Sequence, residues 1–237
     1  MRRPTFRPLL LLLLTAIVGA QGLAQAQTAP ATATVESTPC CGPVTAEGQR
    51  VLKVLDDSDV EHLWLNHRHV NWQTGEPDEP ENYAGHGNHS HCSAFAAAIG
   101  QRLNIYMLRP PEHSQILLAS AQTQWFGSAS GKDAGWIAVH SAEQAQTLAN
   151  RGHLVVISYE SPNVHKPGHI VIIRPSLISA QTLSEQGPDI IQAGDKNYLT
   201  QNAKAAFKWH AAAWPNDIKY FAHAVPAQPL NSGTPRT

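Results

Sequence analysis

An excess of basic residues, a second long apolar run, internal repeats and an even set of cysteines are all missing from this chain. Each absence excludes something. Lysine and arginine number 17 against 18 aspartates and glutamates, whereas nucleic-acid binding needs clustered cations to neutralise phosphates. No nucleic-acid partner is therefore expected. Beyond residue 18 nothing approaches the roughly 20 consecutive apolar residues of a membrane-spanning helix, so no stable membrane insertion is expected. The lack of repeats argues against a solenoid. Three cysteines cannot all pair with one another. No cofactor is expected.

What is present begins with "MRRPTFRPLLLLLLTAIVGAQGLAQAQ". Arginines, a short apolar run over 9–18 and then small residues form the layout of a secretory signal peptide over 1–26, with cleavage after Ala26. The mature chain would be soluble and exported, periplasmic or secreted. Losing three arginines leaves 14 basic against 18 acidic residues, a net charge of −4. Residues 27–43, rich in Ala, Thr and Pro, read as a flexible lead-in. Residues 44–226 read as one domain and 227–237 as a disordered tail.

Cys40 and Cys41 are adjacent. Their Cα atoms must lie about 3.8 Å apart, below the usual disulfide window of roughly 4.4–6.8 Å. Two pairings stay open: a bond between the neighbours, or a bond from either to Cys92 that leaves a spare thiol.

Helical spacing of Val51, Leu52, Val54 and Leu55 predicts a helix over 45–55. Residues 66–91 hold few aliphatics and much Asn, His, Gly and Pro. About 26 residues of loop is long enough to expect a functional role, and Trp72 and Tyr83 are its candidate cleft-lining aromatics. Phe95, Ala96, Ile99 and Leu103 predict a buried helix over 92–103. Another is expected over 114–125. Ser141 with Gln144 three residues on caps a further helix, which Gly152 ends. After Gly152 the pattern becomes strand-like: "HLVVISYE", "HIVIIRP", "PDIIQAG" and "IKYFAHAV". Between the last two, "AKAAFKWHAAAW" reads as a helix. Helices first and strands mostly afterwards is the order of an α+β domain.

A cysteine becomes a nucleophile when it is held beside a base. A helix N-terminus, with free N–H groups and a positive dipole end, favours the thiolate. Cys92 stands at such a position, where backbone amides could also receive an oxyanion. His169, opening an apolar strand straight after Pro167-Gly168, is the candidate base. Gln192, the polar residue of "DIIQAG", is the candidate third member that fixes the imidazole tautomer, with Asn197 as second choice. His140 is a rival base, though its position before a helix cap gives it a plainer role.

"HCSAF" resembles the Asp-Cys-Ser-Gly-Phe nucleophile motif of NlpC-type cell-wall peptidases, and "PGHIVII" resembles their histidine strand. The related CHAP amidases show the same order of cysteine helix, histidine strand and later polar residue. The resemblance spans about residues 83–197. It implies a papain-like fold, N-terminal helices packed on an antiparallel sheet, and hydrolysis of peptide or amide bonds in peptidoglycan by Cys92, His169 and Gln192. His91 stands where the family has an acid and Ala94 where it has glycine. Cys92 and His169 lie about 77 residues apart, which is long for the family. These departures bear on the substrate more than on the chemistry.

Two other readings remain. His86, His89, His91 and Cys92 fall within seven residues, with His62, His67 and His69 upstream; imidazole and thiolate suit zinc or copper, so a secreted histidine-rich metal-binding protein is the non-enzymatic alternative. The spacing matches no strong zinc pattern, so His91 is instead a candidate substrate-binding neighbour of the thiol, and no metal site is expected. The chain could also be an inactive papain-fold protein that binds wall fragments or a partner protein.

Overall fold

The structure, a computed structural model, describes residues 39–80, 90–210 and 212–227. The signal segment, most of the lead-in, Tyr83, His86 and His89 lie outside the described residues. So does most of the tail.

In chain order the elements are α1 (Ala46–Asp56), α2 (Cys92–Arg102), α3 (Leu118–Gly127), α4 (Ala129–Asp133), β1 (Ile137–Val139), α5 (Ala142–Asn150), β2 (His153–Tyr159), β3 (His169–Ile173), α6 (Ala180–Gln186), β4 (Asp189–Gln192), β5 (Tyr198–Asn202), α7 (Ala203–Ala206) and β6 (Ile218–Ala224). The strands form one sheet in the order β1-β6-β2-β3-β4-β5, and every neighbouring pair is antiparallel. The expected α+β class is met.

β2 and β3 are covered on both faces, and that accounts for their unbroken apolar runs. Leu154, Val156, Ile170 and Ile172 face a cluster with α1, α2 and α3. Val155, Ile157, Val171 and Ile173 face α5 and the segment around Phe207. Each such residue taken fully out of water contributes about 1.5–3 kcal/mol. An exposed ion pair such as Lys53–Asp57 adds about 1 kcal/mol at most. Burial in the two layers therefore decides the fold.

Local signals explain the ends of the helices. Thr45 Oγ1 accepts from the Gly48 amide at the start of α1. Ser141 Oγ accepts from the Gln144 amide at the start of α5, while Gln144 Oε1 accepts from the His140 amide. His140 thus belongs to this cap, beside an edge strand three positions from β3. The helix expected over 114–125 begins only at Leu118, because Leu117 takes a left-handed φ of 57° that an α-helix does not propagate. The helix expected over 203–214 stops after one turn. Phe207 is its C-cap; farther on, Pro215 disfavours helix at the residue before it, and Trp214 is extended at ψ 133°.

Cys40 and Cys41 are bonded to each other, with Cα atoms 3.8 Å apart, and Cys92 is a free, buried thiol. Among the described residues no helix is long and apolar enough to cross a membrane.

The turn between β4 and β5 is fixed from below. Asn197 Nδ2 donates to the carbonyls of Val60, Leu63 and Trp64, at 2.7, 2.8 and 3.2 Å, and its Oδ1 accepts from the Gly194 amide. One side chain thereby ties the chain after α1 to the end of β4. Removing it leaves half-buried backbone groups without a partner, a cost of about 1–3 kcal/mol. Asn197→Ala is expected to lower unfolding free energy by about 2 kcal/mol, read as a shift of the urea midpoint at unchanged slope.

Candidate active site

Cys92 is the first residue of α2 and is 4 % exposed. The helix entry is unusual in one respect: its N-cap is His91, whose side chain makes no capping bond. Its ring is instead drawn inward, with Nε2 2.9 Å from the Arg68 carbonyl oxygen. First-turn amides are left for another acceptor, and the backbone N–H groups of Ser93 and of Cys92 itself bear on the sulfur, together with that of Ile170. Ile170 directly follows His169. Sulfur and imidazole are therefore anchored to the same end of β3.

His169 opens β3 opposite Tyr159 of β2. Pro167-Gly168 before it is required by close packing. A Cβ on Gly168 would stand 2.1 Å from the Tyr159 carbonyl oxygen and 2.9 Å from Ser120 Oγ, and the Gly168 amide donates to that hydroxyl. Only glycine lets β3 begin this near to β2.

Gln192 ends β4, and its Oε1 lies 3.0 Å from His169 Nε2. Its own Nε2 donates to the Lys196 carbonyl at 2.9 Å. This second bond fixes the amide orientation, since a carbonyl oxygen can only accept. Oε1 must then accept from His169, which carries its proton on Nε2 when neutral. Nδ1 is left as the basic nitrogen. Asn197, occupied with three carbonyls and the Gly194 amide, makes none of these contacts; of the two candidate third members it is Gln192 that holds the ring.

Burial acts oppositely on the two groups. It pushes the Cys92 thiol up; the amides of Ile170, Ser93 and Cys92 pull the other way, and Asp195 adds to the rise. It pushes the His169 imidazole down, opposed by the Gln192 bond and by Asp195. The resting pair is thus neutral thiol and neutral imidazole. The thiolate expected from the helix N-terminus alone is outweighed by the dry surroundings.

A cavity of about 570 Å³ opens over His169 and Gln192, walled by Asn66, His67, Ser90, Asp195, Lys208, Trp209 and His210 among others. Trp209 is 74 % exposed on its rim. Cys92 is not among the residues that line it. Of the candidate substrate-binding residues, His91 is buried against Arg68, and Trp72 packs on the core with its carbonyl accepting from Trp64 Nε1. Neither is among the residues lining the cavity, and Tyr83 lies outside the described residues. His210, Phe207 and Asp195 were not singled out by sequence. Asp195 acts on His169 from the β4–β5 turn, and Phe207 and His210 reach it from the end of α7 and just beyond, all through tertiary structure alone.

Among the described residues no group of three His, Cys, Asp or Glu side chains is arranged to hold a metal ion. His62 is bonded to Asp59 and His69 to Asp78. The sequence matches no protein-family model and no curated protein.

The neutral pair sets a measurable reactivity. Iodoacetamide at pH 7 is expected to modify Cys92 more slowly than a free cysteine, whose ordinary pKa is ~8.5. The rate should keep rising beyond pH ~9, followed by mass spectrometry. A rate already at its plateau at pH 7 would mean a resting thiolate.

Proposed function

We propose that this protein is an exported cysteine hydrolase of papain-like, NlpC-type character that cleaves amide bonds in peptidoglycan. The observation that carries the reading is the His169–Gln192 hydrogen bond at the strand end where α2 delivers Cys92. An imidazole held in one tautomer by a polar side chain, on the strand whose Ile170 amide bears on a thiol at a helix start, supplies the parts that nucleophilic acyl transfer needs. The order of "HCSAF", "PGHIVII" and "DIIQAG" along the chain supports it.

In this scheme Cys92 Sγ attacks the amide carbon as Nδ1 of His169 takes the thiol proton. No free thiolate accumulates beforehand. The carbonyl oxygen gains the negative charge and is received by N–H groups at the start of α2. Collapse breaks the C–N bond, and His169 returns its proton to the leaving amine. The acyl group is then a thioester on Cys92. Water, deprotonated by His169, attacks it, releasing a carboxylic acid and restoring the thiol. Gln192 keeps Nε2–H engaged throughout, and its oxygen stabilises the imidazolium when it forms. The cavity beside His169, with Trp209, Asp195 and Lys208 on its walls, receives the stem peptide.

The test is release of soluble fragments from purified peptidoglycan, resolved by chromatography. The wild-type protein should release them and Cys92→Ala should not. His169→Ala should be slower by about 10²–10⁴-fold, the usual contribution of a positioned general base. Equal release by wild type and Cys92→Ala, or no release by either, overturns the proposal.

A further inference from the structure

A second imidazole stands in this site and has no part in the scheme above. The His210 ring is stacked on that of His169, with centroids 5.3 Å apart and planes inclined by 20°. Behind it, the Tyr159 ring lies 5.3 Å away. Phe207 meets His169 edge-on at 5.2 Å and 72°. His169 is therefore held at three places: its Nε2 by Gln192, its edge by Phe207 and its face by His210. Phe207 is fully buried. His210 is only partly so and shares the cavity wall with His169. It covers one face of His169 at that wall.

We infer that His210 is a positioning residue for His169: a flat ring that fixes the imidazole plane, keeps Nε2 on Gln192 and keeps water off one face of the ring. Its consequence for catalysis rests on the hydrolase reading; the structural role does not.

Among the described residues, the charged and titratable groups around the stack are Asp195 from the β4–β5 turn, Tyr159 from β2, and His67, Lys196, Tyr198 and Lys208 from the cavity wall. Burial and the neighbouring His169 push His210 down to about 4, with Asp195 opposing. An ordinary histidine titrates near ~6.5, so at neutral pH His210 is uncharged. It acts through its shape and through the water it excludes, and a phenyl ring of similar size would serve. An alanine would not: water reaching His169 would stabilise its charged form and raise its pKa.

The experiment is an NMR titration of the His169 ring, its signal assigned by its loss in His169→Gln, in wild type, His210→Ala and His210→Phe. The wild-type midpoint should lie below ~6.5. His210→Ala should move it up toward that value, and His210→Phe should leave it where it was. If His210→Ala fails to fold, His210→Gln, which is polar and lacks a ring, replaces it in the comparison. An unchanged midpoint in the ringless variant, or an equal rise in His210→Phe, overturns the inference. Where hydrolysis is measured, the acid limb of its pH profile should follow the same midpoints. If the wild-type protein hydrolyses nothing, the titration still decides the role of His210, so the two readings fail separately.

Discussion

A diagonal contact across two antiparallel strands, from His169 to Gln192, organises this end of the molecule. Ile172 pairs with Ile191 and Ile173 with Ile190. Continued by one residue, that register sets Gln192 opposite Val171, and by three, Gly194 opposite His169. Side chains two apart along a strand share a face, so His169 and Gln192 are diagonal neighbours, within reach of a long side chain. Gly194 between them is what makes the reach possible. A Cβ there would sit 3.1 Å from Gln192 Nε2 and 3.5 Å from His169 Cε1. A register slip of one residue would turn either side chain to the other face and separate them.

The register is in turn held by burial on both sides of β3. Ile170 and Ile172 lock it to the helices of one layer, Val171 and Ile173 to the other. With both faces filled, the strand has no freedom to slide, and the polar group at its mouth inherits that rigidity. Cys92 reaches the same mouth from the α2 layer, while His169 stacks on Phe207 and His210 in the opposite layer. The site thus lies where the two cores meet around a strand end, and Gly168 lets that end come against β2.

How far this was legible in sequence differs by element. The buried strands announce themselves as β-branched runs bounded by Gly and Pro, and α5 by its Ser141/Gln144 cap. Cys92 and His169 were legible because each sits at the start of an element, a position that sequence punctuation marks. Gln192 was legible as the polar residue that follows two isoleucines at the end of its strand. β5 was not, since its residues 198–202 are half-exposed and mixed in character. His210 and Phe207 were read as part of a helix; that helix stops at Ala206, and only the fold put their rings on His169. The bonded pair Cys40–Cys41 could not be chosen by spacing, because both pairings were open until the chain placed Cys92 inside the core.

The electrostatics follow from the same burial. Helix amides favour the thiolate by about 0.3–1 kcal/mol at an exposed helix end and up to ~2 kcal/mol when partly buried. Desolvation works against it, and one pKa unit corresponds to about 1.4 kcal/mol. At a sulfur only 4 % exposed, the second effect wins, as the raised thiol and lowered imidazole both require. In the proposed hydrolysis a dry site would exchange a standing thiolate for a proton transfer made during attack. The same dryness would strengthen each amide that meets the developing oxyanion, because fixed dipoles are screened less there than in water. Under that proposal charge is stabilised where it forms and disfavoured at rest, both through the burial that the two layers impose on the start of α2 and the mouth of β3.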